Sequence, residues 1–175
     1  NELWTARYNG PYDDRDRPVF VQTDAVGNVY VSGVVKTGLS WPGTCNTSAD
    51  CTMADLEDGA TVKYDSTGTL LWEETSGLAV RDMEVDAVGN VYILANQTSY
   101  YSQQGTCIHK PFGYCYYPPV LSMFFHVTKY DPEGSQEWTS SGPGLGKDLT
   151  LGQDGSVYVL GEEDDNTCVS SKIDA

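Results

Sequence analysis

The sequence lacks a long apolar run, an excess of basic residues and any helical periodicity. No apolar run among the 175 residues approaches the roughly 18–20 residues that a membrane-spanning helix requires. Ten Lys and Arg stand against 25 Asp and Glu, and a formal net charge of −15 argues against partners such as nucleic acid or anionic lipid. No helical period lasts longer than a turn or two. What remains is an acidic, folded β-protein that does not insert into membranes.

Residues suited to catalysis are also scarce, since a nucleophilic site needs a histidine beside Ser or Cys and a carboxylate. The two histidines are His109, between two cysteines, and His126, after Phe124 and Phe125 in a predicted strand. Each is interpreted as a surface or packing residue. The recurrent carboxylates stand at turns, which Asp caps with its own side chain: Asp24, Asp65, Asp86, Asp131 and Asp174. The sequence predicts that the protein is not an enzyme, with a hydrolase or lyase as the least favoured alternative.

What is present is a cassette that occurs three times. Its first half is a hairpin around Gly-Asn-Val-Tyr or a close variant, at residues 24–31, 86–93 and 153–159. Its second half runs from Lys-Tyr-Asp to Trp at residues 63–72 and 129–138, and a third copy starts it at 172–174. Gly and Asn supply the left-handed conformations of tight hairpin turns. The recurrent Tyr and Trp are predicted to pack one unit against the next: Tyr30, Tyr64, Tyr92, Tyr130, Tyr158, Trp4, Trp72 and Trp138.

Each cassette predicts four short antiparallel strands in the order hairpin, insert, hairpin. Successive units of this kind indicate an all-β fold, a β-propeller-like array of three four-stranded antiparallel blades. The predicted boundaries within one domain, 1–175, are 1–8 for a separate N-terminal strand, 18–73 for blade 1, 82–139 for blade 2 and 147–175 for an incomplete blade 3.

The pattern Gly-Asn-Val-Tyr-Val with Lys-Tyr-Asp-x-x-Gly-x-x-x-Trp resembles the bacterial seven-bladed β-propeller (SBBP) repeat family. The resemblance covers most of the chain outside two long inserts. It implies a propeller fold in a secreted or surface protein, with no fixed catalytic set. The chain departs from the family in having three copies and enlarged inserts.

The third copy stops one residue past Asp174, before its tryptophan. In the complete copies, Trp72 and Trp138 each lie seven residues after the cassette's Asp. With Asn1 placed beyond Ala175 after a two-residue gap, Trp4 falls at the same spacing from Asp174. Blade 3 is therefore predicted to be completed by an assembly strand: Glu2, Leu3, Trp4, Thr5, Ala6, Arg7 and Tyr8.

Closed propellers use roughly four to eight blades, so three blades leave an open edge that is a template for strand addition. The assembly strand of a neighbouring chain, or ring closure, would fill that edge. A head-to-tail contact either closes into a ring or continues as a filament. The sequence therefore predicts a secreted structural protein that assembles with itself through strand complementation. The alternative is that the chain is a piece of a longer propeller.

Cysteines and sequons point to an oxidising compartment. Cys45 with Cys51, and Cys107 with Cys115, are close enough for local disulfides, and the second pair at knuckle spacing that zinc requires is missing. Glycosylation sequons begin at Asn46 and Asn96. The chain starts without Met, as a mature or trimmed secreted segment would. The expected location is extracellular or at the cell surface.

Cys168 is the fifth cysteine, and it has two interpretations. It is either a buried thiol in the third strand of the last blade or a covalent link to a neighbouring chain.

The two inserts, 34–58 and 96–122, join the second strand to the third and must emerge on one face of the array. Their aromatics do not repeat, so they could bind sugar rings, contact a subunit or cover the loop's own base. The alternative function is accordingly a carbohydrate-binding or adhesive module, with glycans as partners and a ligand face at Trp41, Tyr100, Tyr101, Tyr116 and Tyr117. No cofactor is predicted, and the acidic runs 13–16 and 162–165 give only a weak indication of Ca²⁺.

Overall fold

The structure is a computed structural model that describes residues 2–12, 16–40, 54–102, 119–163 and 168–174. These residues form eleven β-strands and no helix, hence none long and apolar enough to cross a membrane. The strands make three antiparallel sheets, which confirms the all-β class.

In each sheet, strands that are adjacent in the chain are adjacent in space. The first sheet contains β1 (Arg17–Thr23), β2 (Val29–Ser40), β3 (Ala54–Tyr64) and β4 (Leu70–Thr75). The second contains β5 (Val80–Val85), β6 (Val91–Ser102), β7 (Pro119–Tyr130) and β8 (Gln136–Pro143). Of the described residues, the third contains β9 (Leu145–Leu151), β10 (Val157–Glu162) and β11 (Cys168–Ile173).

The three sheets share one strand register. The tyrosine of the second strand pairs with the lysine of the third in every sheet: Tyr30 with Lys63, Tyr92 with Lys129, and Tyr158 with Lys172. In the first two sheets that lysine also pairs with the tryptophan of the fourth strand: Lys63 with Trp72 and Lys129 with Trp138. The cassettes therefore place corresponding residues at corresponding positions, and the sheets can be compared residue by residue.

Four of the five recurrent aspartates cap their turns, as predicted. Asp24 Oδ1 accepts the backbone N–H of Val26 at 3.1 Å and of Asn28 at 2.9 Å. Asp65, Asp86 and Asp131 accept the corresponding N–H groups of their own turns. These carboxylates satisfy backbone donors that the reversal of the chain removes from the ladder. Asp174 has no such role among the described residues, and it forms a 3.5 Å ion pair with Lys172.

The sheets stack face to face, and the core lies between them. One apolar cluster fills the space between the first and second sheets: Tyr30, Val80, Met83, Val91, Ile93 and Tyr130. Another fills the space between the second and third: Tyr92, Leu94, Phe125, Val127, Leu149, Val157 and Val159. Because side chains alternate along a strand, both faces of the middle sheet are buried. The prediction that the recurrent tyrosines pack one unit against the next is confirmed for Tyr30, Tyr92 and Tyr130.

The strands beside the inserts are longer than predicted. β2 continues to Ser40 and β3 begins at Ala54, although 34–58 was expected to be an insert. β6 likewise continues to Ser102 and β7 begins at Pro119, within the expected insert 96–122. The ladder simply continues beyond the alternating sequence, past a bulge between Lys36 and Gly38 in the first sheet. Tyr100 and Tyr101 therefore lie in β6 and not in a loop.

The predicted N-terminal strand also differs from the expectation. Residues 2–9 belong to no strand of the described chain. A strand is defined by its ladder, and residues 2–9 take part in none of the ladders of the described strands. The segment lies against the first sheet instead, through Trp4.

Candidate assembly interface

Each complete sheet presents one face built from a tyrosine, a lysine and a tryptophan, here named the Tyr–Lys–Trp face. The rings of Tyr30 and Trp72 lie 6.1 Å apart, edge to face, and those of Tyr92 and Trp138 repeat both the distance and the geometry. The lysine ammonium lies over the tyrosine ring, at 5.0 Å for Lys63 and 5.7 Å for Lys129. Such aromatic and cation–π contacts favour a single arrangement of the face.

The Tyr–Lys–Trp face of the first sheet forms hydrogen bonds with two turns of the second sheet. Lys63 Nζ donates to the carbonyl of Pro132 at 2.7 Å, and Trp72 Nε1 donates to the same carbonyl at 3.0 Å. The single proton of the Tyr30 hydroxyl has two acceptors within reach, the carbonyl of Gly89 at 3.2 Å and Asp24 Oδ2 of its own turn at 3.0 Å. Burial, and then a hydrogen bond to Asp24, raise the pKa of Tyr30, so its hydroxyl stays a donor at every physiological pH.

Glycine makes room for the tryptophan. Gly134 lies in the turn under Trp72, with φ +89°, and a Cβ added there would be 2.9 Å from the indole. The glycine of Lys-Tyr-Asp-x-x-Gly thus serves both the left-handed turn and the close approach of the ring.

The same contact is repeated at the first sheet by the N-terminal segment. Trp4 packs on Tyr64 with ring centroids 6.2 Å apart, and its Nε1 donates to the carbonyl of Ser66 at 3.2 Å. A Cβ on Gly68 would be 2.8 Å from the Trp4 ring. Ser66 and Gly68 stand in the turn where the second sheet has Pro132 and Gly134. Trp4 therefore sits on the first sheet as Trp72 sits on the second.

The opposite face of each sheet is here named the receiving face. The three sheets differ in how much of this face is covered. The pairs Val21–Val31, Met83–Ile93 and Leu149–Val159 hold the same register position in the three sheets. Met83 is 1% exposed and Leu149 is 2% exposed, but Val21 is 66% exposed. Between this face and the N-terminal segment lies a cleft of about 240 Å³, lined by Trp4, Ala6, Tyr8, Val31, Val62 and Tyr64 among others. The receiving face of the first sheet is therefore only partly covered.

In the third sheet, it is the Tyr–Lys–Trp face that is exposed. Tyr158 is 41% exposed, whereas Tyr30 and Tyr92 are buried. Leu160 is 51% exposed, whereas Leu94 at the same position of the second sheet is fully buried. Lys172 lies 5.8 Å over the Tyr158 ring, so two members of the Tyr–Lys–Trp face are in place. No strand of the described chain pairs with the outer edge of β11, where the tryptophan strand of the other sheets lies.

Exposed charges around this face hold Lys172 only loosely. Its Nζ is 3.4 Å from Asp154 and 3.5 Å from Asp174. The hydrogen bond to Asp154 raises the pKa of Lys172, which therefore stays cationic. Exposed ion pairs of this length contribute little to stability, so the Lys172 ammonium is available to a new acceptor.

Several predicted site residues lie outside the described residues. These are Cys45, Asn46, Cys51, Trp41, Cys107, Cys115, Tyr116 and Tyr117, as well as most of the two acidic runs. Within the described part of the chain, no group of three or more His, Cys, Asp or Glu is placed to hold a metal ion. Cys168 is a free, exposed thiol, so the interpretation as a buried thiol is wrong, and the link to a neighbouring chain stays a prediction.

Asn96 has a structural role that its sequon did not indicate. Its Nδ2 donates to the carbonyl of Gly146 at 2.9 Å, and its Oδ1 accepts the Gly146 N–H at 2.8 Å. The half-buried amide thereby ties the second sheet to the third. A glycan on Nδ2 would have to leave through that junction.

His126 has partners on both sides of its ring. Its Nδ1 is 2.7 Å from Ser141 Oγ, and its Nε2 is 3.0 Å from Gln97 Oε1. Burial lowers the pKa of His126, which favours the neutral ring. These contacts bridge β6, β7 and β8, in keeping with a packing role.

Comparison with known proteins assigns no family to the chain. No protein-family model matches the sequence, and no curated protein matches it significantly. The geometry of the two faces is therefore the basis for interpreting the molecule.

The role of the lysines was missed at the level of sequence. In the sequence, Lys-Tyr-Asp marks only the start of the second half of the cassette, whereas Lys63 Nζ links the first sheet to the second. The available signal was the recurrence of a cation at one position of a buried strand, since charged residues are rarely buried without a fixed partner.

Proposed function

We propose that the protein is a secreted structural protein that assembles head to tail with itself, into an extracellular fibre or ring. In this proposal the three sheets are propeller blades of the SBBP-repeat type. The third blade of one copy is completed by the assembly strand, Glu2 to Tyr8, of the next. The molecule acts as a building unit and not as an enzyme.

The observation that carries the proposal is the position of the N-terminal segment. Trp4 occupies on the first sheet the site that Trp72, from a fourth strand, occupies on the second. The segment thus has the inter-sheet contact of a fourth strand, but it takes part in no ladder of the described strands. The third sheet has the tyrosine and lysine that such a strand requires, with an unpaired edge among the described residues.

The exposed faces support the same pairing. Val21 and Tyr158 show that the first and third sheets do not cover each other within one chain. The two internal junctions share apolar positions. Tyr30 packs between the first and second sheets as Tyr92 packs between the second and third, and Met83 likewise corresponds to Leu149. Tyr158 and Val21 hold these two positions on the exposed faces, so the exposed faces are complementary. Stacking a third sheet on a first sheet would extend the array with the contacts it already has.

The arrangement of the sheets supports a radial array. β5 lies beside both β1 and β9, so the first strands of the three sheets are neighbours. Blades arranged around an axis require their first strands to meet along one line.

Deleting residues 1–8 tests the proposal. The full chain is expected to form species far above its 19.1 kDa mass in light scattering and fibres or rings in electron micrographs. The truncated chain should stay monomeric and, mixed in at low ratio, should shorten fibres, because it can accept a strand but cannot donate one. A full chain that is monomeric, or a truncated chain that keeps the native mass, would refute self-assembly through this strand.

A pair of point variants guards against misfolding of the truncated chain. Trp4→Ala removes the indole that sits on Gly68, and Leu3→Ala changes a neighbour that is 93% exposed. Assembly should be lost or greatly weakened in Trp4→Ala and kept in Leu3→Ala, with both variants retaining the β-sheet circular dichroism of the parent.

A further inference from the structure

The register of the complete sheets fixes how a missing fourth strand would pair. Lys63 lies opposite Trp72, and Lys129 lies opposite Trp138. From Lys129 and Trp138 the pairs of β7 and β8 follow without a shift in register, so Phe125 lies opposite Gly142. Any fourth strand of the third sheet should follow this ladder, because the pairing of β10 with β11 matches that of β6 with β7.

The N-terminal segment has the side-chain alternation of β8. In residues 2–9 the first two side chains are exposed, and half-buried and exposed side chains then alternate. β8 shows the same order over Gln136–Pro143. Aligning Trp4 with Trp138 places Tyr8 at the position of Gly142. The residue of the third sheet at the position of Phe125 is Cys168, since Glu162 pairs with Cys168 as Asn96 pairs with Phe125.

A turn carbonyl supplies an independent constraint. The carbonyl of Pro132 receives both the Trp72 indole and the Lys63 ammonium. The carbonyl of Ser66, its counterpart, receives the Trp4 indole. The lysine whose cassette position corresponds to Lys63 is Lys172, which is 47% exposed and held by long ion pairs.

We infer that the partner of the open third sheet is a second copy bound in one register, with Lys172 opposite Trp4 and Cys168 opposite Tyr8. Lys172 of one copy donates to the Ser66 carbonyl of the other, and Tyr158 and Leu160 enter the cleft beside Trp4. The inference rests on the proposed function and specifies its contact. In this register Cys168 faces a tyrosine, so the complementing strand offers it no native disulfide partner.

The substitution Tyr8→Cys tests the register, because Cys168 is already in place. Directly opposed residues of antiparallel strands have Cα atoms roughly 4.5–5.5 Å apart. A disulfide requires roughly 4.4–6.8 Å. Mild oxidation of assembled Tyr8→Cys should give a ladder of covalent oligomers on non-reducing gels, with an 8–168 linkage in peptide mass spectra. The double variant Tyr8→Cys/Cys168→Ser should give no ladder.

Two further cysteine variants read out a shifted register. Ala6→Cys and Gly10→Cys place the thiol two residues away on the same side of the strand. A ladder from either one, with none from Tyr8→Cys, would overturn the register while leaving self-assembly intact. An 8–168 linkage found only within monomers would overturn the assignment to a second copy. A full chain that never assembles would refute the proposed function itself.

Lys172→Met provides a second readout should Tyr8→Cys disturb folding. Loss of the charged hydrogen bond to Ser66 should raise the concentration needed for assembly by about tenfold. Lys147→Met is the matched control, since Lys147 forms an exposed ion pair with Glu162 on β10. Equal assembly of the two variants would contradict the Lys172 contact.

Discussion

Tyr158 provides the sharpest quantitative test of the face that is proposed to join two copies. In the single chain its side chain is 41% exposed, whereas Tyr30 and Tyr92, at the same position, are 0% and 4% exposed. If the third sheet stacks on the first sheet of a neighbour, Tyr158 should become as buried as its counterparts. Tyr158→Ala should therefore weaken assembly and leave the fold of the single chain nearly unchanged.

The size of the effect follows from the area that becomes buried. Two fifths of a tyrosine that buries roughly 200 Å² is about 80 Å². At about 25 cal/mol per Å², this corresponds to about 2 kcal/mol for each contact between copies. The edge-to-face contact with Trp4 of the neighbour would add roughly 0.5–1.5 kcal/mol. The concentration at which half of the chains are assembled should rise by roughly 30-fold or more.

Dilution of the assembled protein, followed by light scattering or sedimentation velocity, measures that concentration. Tyr12→Ala is the matched control, because Tyr12 is 53% exposed and is not among the residues that line the cleft. Urea unfolding of unassembled chains checks that Tyr158→Ala keeps its stability. Should Tyr158→Ala and Tyr12→Ala assemble at the same concentration, the stacking of the third sheet on the first would be wrong.

Two other predictions concern the single chain. Gly134→Ala should lower the free energy of unfolding by roughly 1–3 kcal/mol more than Gly155→Ala, because both have positive φ but only Gly134 lies against Trp72; equal urea midpoints would contradict this. Burial, with a further contribution from Asp148, raises the pKa of Asp82 in the folded state. Protonation therefore favours the fold, and this stabilisation is lost as the pH rises through the folded-state pKa of Asp82. Asp148→Asn should raise the urea midpoint at pH 7, and the gain should shrink towards pH 3; a gain independent of pH would exclude this cause.

Much of the fold could be predicted from the repeat. The positions of the turns, the antiparallel pairing and the burial of Tyr30 and Tyr92 follow from alternation and turn chemistry, which act over a few residues. The lengths of β2 and β6 could not be predicted, because the ladder continues through residues whose alternation is broken. The tie between Asn96 and Gly146 also escaped prediction, since it joins residues of different cassettes.

The sequence by itself determined that a tryptophan at the start of the chain has the spacing of a fourth strand. Only the tertiary structure decided where that tryptophan goes, namely onto Tyr64 and the Ser66 turn of its own first sheet. The physical reason is that spacing specifies position along a strand, whereas contacts between sheets depend on which face each strand presents. In the sequence, Val21 and Tyr158 do not differ in kind from their counterparts in the other cassettes. Both are exposed because of the way the sheets stack, which leaves them uncovered at the two ends of the array.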